Sequence, residues 1–273
     1  MGPEAFSSHN ATMTTRTSSA HRKSTGRHTP SRPSAAHRSS AGRRTPGRPS
    51  AGRILVIDVG GTHVKFRVGS EGEILRFESG PQMTAAAMTR QVRRLAKDLP
   101  YEAISIGYPG PVVRGRIVAE PHNLGSGWVR YDFTKNFGRP VRVVNDATMQ
   151  ALGSYEGGRM LFLGLGTGLG TALILDGTVE SMEIGHGHFK HGRSFEDYLG
   201  ERGRQRLGTK KWRKAVAEVV EQLQAVFEVD YVVLGGGNVR RLKTLPAGAR
   251  SGDNLNAFPG GLRLWQQDDP FDV

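Results

Sequence analysis

Four short stretches of this 273-residue chain carry residue types at spacings that suit phosphate and hydroxyl chemistry. The first is Asp58-Val-Gly-Gly-Thr-His-Val-Lys65. An apolar run, Ile54–Val59, puts a carboxylate near its end, and Gly60 and Gly61 let the backbone turn tightly enough for N–H groups to face a phosphate. Thr62 adds a hydroxyl donor, Lys65 a cation, and Asp58 can orient a hydrated Mg²⁺. A plain Gly-Gly hairpin would read the same way locally. The second stretch, Gly164-Leu-Gly-Thr-Gly-Leu-Gly170, lies between two apolar strands. Its alternating glycines, Gly166 and Gly168 among them, permit close backbone approach to a charged ligand, and Thr167 can donate. It matches neither the dinucleotide spacing nor a P-loop. Paired with the first, it suggests two loops closing on one polyphosphate.

The third stretch is Asn145-Asp146, where an apolar strand gives way to a helix. A carboxylate there can take the proton of an attacking hydroxyl while the amide orients the acceptor. Asp is also a common helix cap, so capping is the plain alternative. The fourth combines Glu183-Ile-Gly185-His186 with Glu196 in Ser-Phe-Glu-Asp-Tyr. Carboxylates that accept, and a histidine that donates and accepts, suit a polyhydroxylated ligand. His186, His188 and His191 also invite a zinc reading, but without cysteine the segment offers no convincing tetrahedral set, and no zinc site is expected.

The elements that must carry these residues follow from periodicity. Ile54–Val59, Val64–Val68 and Ile74–Glu78 read as a strand meander, Thr84–Leu99 as a helix, and Ala103–Gly107 as a buried strand. Val141–Val144 is a further strand with a helix from Ala147, and Met160–Leu165 with Ala172–Leu175 brackets the second glycine turn. Lys211–Phe227 is the clearest helix, with Trp212, Ala215, Val216, Val219, Val220, Leu223, Val226 and Phe227 on one stripe. It leads to the strand Tyr231–Leu234 and the triplet Gly235-Gly236-Gly237. A strand meander followed by helix and strand, given twice, predicts two related α/β lobes with a cleft between them.

Composition bounds the rest. Residues 1–52 are almost entirely Ser, Thr, Arg, His, Pro, Gly and Ala, and His21–Ala36 repeats as His37–Gly52 with 11 of 16 positions identical. Such a stretch has no apolar face and is expected to be a disordered tail. It holds nine Lys or Arg against one acid, so most of the formal net charge of +13 belongs to it. An Arg-rich arm can grip a polyanion, nucleic acid included. No run approaches the apolar length of a membrane helix, no signal-peptide core is apparent, and cysteine is absent. A cytoplasmic location is the expectation.

In this order the motifs resemble the ROK family of sugar kinases, over roughly Ile54 to Trp265. The resemblance implies an α/β, actin-like and ribonuclease H-like two-lobed fold, with lobes at 53–145 and 146–273 behind the basic tail 1–52. It implies phosphate motifs at Asp58, Gly60, Gly61, Thr62 and Lys65 and at Gly166, Thr167 and Gly168, and an adenosine-side motif at Gly235, Gly236 and Gly237. It implies Asp146 as catalytic base, and Asn123, Asn145, Glu183, His186 and Glu196 as sugar contacts. Family members typically carry a cysteine-rich zinc motif that is missing here. The stretches His186–Gly200 and Gly208–Lys214 look instead like the polyphosphate glucokinase branch. That implies a hexose kinase using Mg²⁺ with polyphosphate, ATP or both as donor, and a homodimer. Basic residues Lys190, Arg193, Lys210, Lys211, Arg213 and Lys214 are compatible with a polyphosphate donor. The alternative is a ROK-like body without activity that binds polyanions through its tail. A sugar-responsive repressor would need a helix-turn-helix ahead of the fold, and residues 1–52 lack the apolar periodicity to build one.

Overall fold

The computed structural model describes residues 48–266. The basic tail therefore falls outside the described residues except for its last five, of which Ala51 and Gly52 enter a short 3-10 turn, Ala51–Arg53. That turn is fixed to the body by an Arg53–Glu102 ion pair at 3.0 Å.

Two five-stranded sheets carry the chain. The first is built from β1 (Ile54–Val59), β2 (His63–Val68), β3 (Leu75–Glu78), β4 (Ala103–Tyr108) and, after a two-rung hairpin of β5 (Val112–Val113) and β6 (Arg116–Ile117), β7 (Val141–Asn145). Helix α1 (Ala85–Leu95) precedes β4, and α2 (Phe133–Phe137) precedes β7. Helix α3 (Asp146–Ser154) then leads to β8 (Arg159–Leu165), β9 (Leu169–Leu175) and β10 (Thr178–Ser181). A small hairpin, β11 (His188–Lys190) and β12 (Arg193–Ser194), runs into α4 (Phe195–Leu199) and α5 (Glu201–Phe227). The chain closes with β13 (Tyr231–Gly235), β14 (Ala249–Ser251) and α6 (Ala257–Arg263).

The first sheet has the order β3-β2-β1-β4-β7, and the second β10-β9-β8-β13-β14. In each, the first three strands form an antiparallel meander and the last two run parallel to its opening strand. The two related lobes read from the sequence are thus present, with the same strand order in both.

The central strands are apolar throughout because both of their faces are covered. Ile54 and Val56 of β1 join Met160 and Phe162 of β8 in a core shared by the two sheets, together with α3 and α6. Leu55, Ile57 and Val59 face the outer core of the first sheet, while Leu161, Leu163 and Leu165 face that of the second, under α5.

Several element boundaries differ from the sequence reading, each for a local reason. Thr84 is not the first helical residue but the cap of α1, accepting the Ala87 N–H at 3.1 Å. β9 begins at Leu169, three residues earlier than expected, because Gly170 pairs with Gly164 inside the ladder. α5 begins at Glu201, and Gly208, at φ 73°, breaks its course, which resets the helical period and hid the first two turns. Within the stripe, Val226 is 64% exposed and takes no part in the core.

Helix α6 shows tertiary packing overriding propensity. Its sequence, Ala-Phe-Pro-Gly-Gly-Leu-Arg, is poor helix material, yet it lies against α3, β1 and β4. The approach is close enough that a Cβ on Gly260 would collide with the Met149 carbonyl oxygen, and one on Gly153 with that of Asn256. Neither carbonyl belongs to a side chain that can swing away. Gly260→Ala and Gly153→Ala should therefore each destabilise the fold by about 2 kcal/mol or more, as overpacking against backbone does. Urea melts at neutral pH measure this; a loss under about 0.5 kcal/mol in both would show that the helices separate freely.

Candidate active site

Strands β1, β4 and β7 are parallel neighbours, and their C-terminal ends bring the candidate acids together. Asp58 pairs with Gly107 on β4, and Tyr108 beyond it pairs with Asn145 on β7. Gly107 matters because α3 leans over it: a Cβ there would strike Met149 Cε and sit 3.5 Å from Asp146 Cα. Without that side chain, α3 seats on β4 and Asp146 lies within electrostatic reach of Asp58.

Both carboxyls are partly buried and both resist ionisation. Burial pushes Asp146 up to about 7; the Asp58 charge and, more weakly, Glu183 add to this, while the Ala147 N–H opposes it. Burial likewise pushes Asp58 up to about 6, against the pull of Lys65, its directly opposed partner across the β1–β2 ladder. Burial is also the leading cause of the upward shift at Glu183, where His186 opposes and Glu196 reinforces it. Asp58, Asp146, Glu183 and Glu196 thus form a linked row of acids.

Capping falls to Asn145 rather than Asp146. The Asn145 Oδ1 accepts the N–H groups of Ala147 at 2.9 Å and Thr148 at 3.3 Å, and its Nδ2 donates to the Gly110 carbonyl at 3.0 Å. One amide hydrogen is left for a ligand, and Asp146 is released from capping as the first helical residue. Its Oδ1 accepts the Ala147 N–H at 2.8 Å.

The two glycine turns are each held from behind. In the first, the Gly60 N–H donates to the His63 carbonyl at 3.0 Å. Ser79, which no sequence pattern marked, donates its hydroxyl to the Gly60 carbonyl at 2.6 Å and its N–H to the Thr62 carbonyl at 2.9 Å. Asn123 sits against this turn, its Cβ 3.2 Å from the place a Gly61 side chain would start, and is exposed. In the second turn the Gly166 N–H donates to the Gly168 carbonyl, and the Glu201 N–H at the start of α5 donates to both the Gly166 and Thr167 carbonyls at 3.1 Å. The side chains of Thr62 and Thr167 are exposed.

Glu196 links the sugar-type and phosphate-type residues physically. Ser194 and Asp197 form a reciprocal capping box that fixes the start of α4. From there the Glu196 Oε2 accepts the Leu169 N–H at 3.0 Å, and it lies 2.5 Å from where a Gly168 Cβ would be. Glu183 and His186 lie on an exposed turn after β10, 3.8 Å apart.

At the end of β13, Gly236 takes φ +83°, and any side chain there would press within 2.5 Å of the Leu165 carbonyl. Gly236 and Gly237 border a pocket of about 550 Å³, together with Val239, Leu242, Leu245 and Asp253. Of the basic residues named from sequence, Lys190 is engaged by Glu218 at 2.6 Å, and Arg213 donates to the Arg241 carbonyl at 2.7 Å. Among the described residues no cluster of three or more His, Asp or Glu could hold a metal ion. Mg²⁺ asks for less: one or two carboxylates plus phosphate oxygens and water, and two adjacent acids that resist ionisation fit a divalent cation. Among the described residues no helix is long and apolar enough to cross a membrane.

Comparison with known proteins agrees with this geometry. Residues 54–205 match the ROK family model. A polyphosphate glucokinase of Mycobacterium tuberculosis (strain CDC 1551 / Oshkosh) is 24% identical over 207 residues, 68% of this chain and 77% of that protein. A kanosamine kinase of Amycolatopsis mediterranei (strain S699) is 30% identical over 166 residues, 54% of each. The crystal structure of an inorganic polyphosphate/ATP-glucomannokinase from Arthrobacter sp. strain KM superposes with a TM-score of 0.64 at 24% identity, over 80% of this chain and 98% of that one. The two sheets are therefore the lobes of an actin-like kinase fold. The chain belongs to the ROK family and groups there with sugar kinases.

Proposed function

We propose that the protein is a hexose kinase that moves a phosphoryl group from ATP, polyphosphate or both to the 6-OH of glucose or a close analogue. The observation that carries this reading is Asp146: a carboxyl pushed to about 7, at the first turn of α3, in a row of acids that runs to the second glycine turn. A base poised near neutral pH is suited to taking a proton from an alcohol.

In the proposed reaction the sugar hydroxyl gives its proton to Asp146 as its oxygen bonds to phosphorus, and the bond from phosphorus to the rest of the donor breaks. Glu183, His186, Glu196 and Asn123 hold the other hydroxyls, and Asn145 contributes its remaining N–H. Lys65 and the amides of the two glycine turns face the transferring phosphate, and positioning supplies most of the rate. Asp58, with Asp146 beside it, would hold Mg²⁺ through water, and the ion when bound neutralises charge on the phosphate oxygens.

For the donor, different observations support each choice. The pocket beside Gly236 is lined by Val239, Leu242 and Leu245 and by Asp253, which suits a nucleoside, with apolar side chains for a base and an acid for ribose hydroxyls. Polyphosphate is supported by the similarity to a polyphosphate glucokinase and to a polyphosphate/ATP-glucomannokinase, while the engagement of Lys190 by Glu218 weakens one of the cations that favoured it. Glucose phosphorylation measured side by side with ATP and with polyphosphate, at matched Mg²⁺, decides between them.

Two further outcomes test the core of the proposal. Asp146→Asn should lower kcat by about 10³-fold or more while glucose affinity stays within about threefold; retained turnover would remove Asp146 from its role. The same variant reports on the burial of charge. A folded-state pKa raised from 3.8 to about 7 means that the native protein holds its proton longer than the unfolded chain does. Wild-type stability relative to the variant should then fall as pH rises from about 4 to 7. In chelator, the Asn variant should melt a few degrees higher at pH 8 and match wild type near pH 3.5. A difference independent of pH would mean that Asp146 is not charged at the expense of the fold.

A further inference from the structure

The second glycine turn is backed by a polar group that the reaction above does not use. Asn238 directly follows the glycine triplet and is only 8% exposed. Its Nδ2 donates to the Gly166 carbonyl at 3.2 Å and to the Glu201 Oε2 at 3.0 Å, its Oδ1 accepts the Arg241 Nε at 3.0 Å, and its N–H donates to the Leu165 carbonyl. A buried amide with its donors and its acceptor committed specifies one geometry, because any other leaves groups unpaired. Glu201 is itself fixed: Arg204 holds it by two hydrogen bonds, which keeps its carboxyl at about 2.

The residues on either side of Asn238 face elsewhere. Gly236, Gly237, Val239 and Arg240 line the 550 Å³ pocket, while the side chain between them bonds to the phosphate turn. Gly236 lies directly against the Leu165 carbonyl at the end of β8, so the segment has little room to move without the turn moving too.

We propose that Asn238 is a positioning residue that couples the occupant of this pocket to the Gly166–Gly168 turn, so that the nucleoside of a nucleotide donor sets the turn's place on the transferring phosphate. The inference rests on the kinase reading and adds to it a route by which binding energy remote from the reacting bond is spent on orientation. A donor without a nucleoside, such as tripolyphosphate, leaves the pocket empty and draws nothing from the coupling.

Asn238→Ala isolates the effect with little risk to folding. The Gly166 carbonyl keeps the Glu201 N–H, and Glu201 keeps Arg204, so neither is orphaned. With the full-length protein, kcat/KM for Mg·ATP should fall about tenfold, the glucose dissociation constant should stay within about twofold, and kcat/KM for Mg·tripolyphosphate should change by less than about threefold. Asn238→Asp sets a carboxylate against Glu201 and should lose more. Adding Glu201→Gln to it restores a donor–acceptor pair of reversed polarity and should recover about half the loss on a logarithmic scale. Equal losses with both donors, unchanged ATP kinetics in folded Asn238→Ala, or no recovery in the double variant would each overturn the coupling.

Amide hydrogen exchange over residues 160–172 reads the coupling without turnover. Mg·ATP should protect this segment in wild type and not in Asn238→Ala; protection in both, or in neither, overturns it. Absence of hexose phosphorylation by wild type, with the protection difference intact, would instead count against the kinase reading alone.

Discussion

Helix α3 is the part on which everything else depends, because it belongs to both lobes at once. Its first residue is the proposed base, Asp146, and its last turn meets α6 through Gly153 and Gly260 with backbone against backbone. Along its length Met149 lies over Gly107 of the first sheet, and Ala147 lies against Gly170 of the second. A side chain at any of these glycines would lift the helix. The carboxyl of the proposed base is thus placed less by its own contacts than by the absence of atoms elsewhere along α3, which holds an acid where charge is unwelcome.

In the proposed reaction that unwelcomeness is part of the chemistry. Desolvation dominates the shifts at Asp58, Asp146 and Glu183 alike, and the acids reinforce one another along the row. A fold that gathers carboxyls in this way is less stable near neutral pH than one without them, and a bound cation or a hydroxyl donor would offset the deficit. Glu196 shows how closely the functions interlock, since one of its oxygens is already committed to the Leu169 N–H beside the second glycine turn.

Much of this was legible in sequence where local pattern and function coincide. The hairpin at Asp58–Lys65 could be read because a buried strand ending in Gly-Gly has few alternatives, and the repeated meander predicted the paired lobes. Sequence alone leaves capping open as an alternative role for Asp146, because Asn and Asp both cap helices, and only the direction of the side chains gives the cap to Asn145. Helix α6 was not recognised, since a segment with proline and two glycines becomes helical only when α3 and β1 cover it. Ser79, Glu201 and Asn238 were invisible for a different reason. Each supports a turn distant in the chain, by 19, 35 and 72 residues, and no spacing rule links a serine after one strand to a glycine carbonyl in the turn after another.

The matching strand orders of the two sheets have one more implication. The glycine turns follow β1 and β8, and in the ladders Gly164 holds the place that Asp58 holds: each pairs with a glycine of its parallel neighbour, Gly235 and Gly107 respectively, and the residue across the hairpin is Lys65 in one lobe and Gly170 in the other. The fold repeats itself, but the repeat is electrically lopsided. One half keeps an acid and a base facing each other, and the other has been reduced to bare main chain. Where their topology matches, the two ladders therefore differ in charge, with an acid opposite a cation beside the first turn and main chain opposite main chain beside the second.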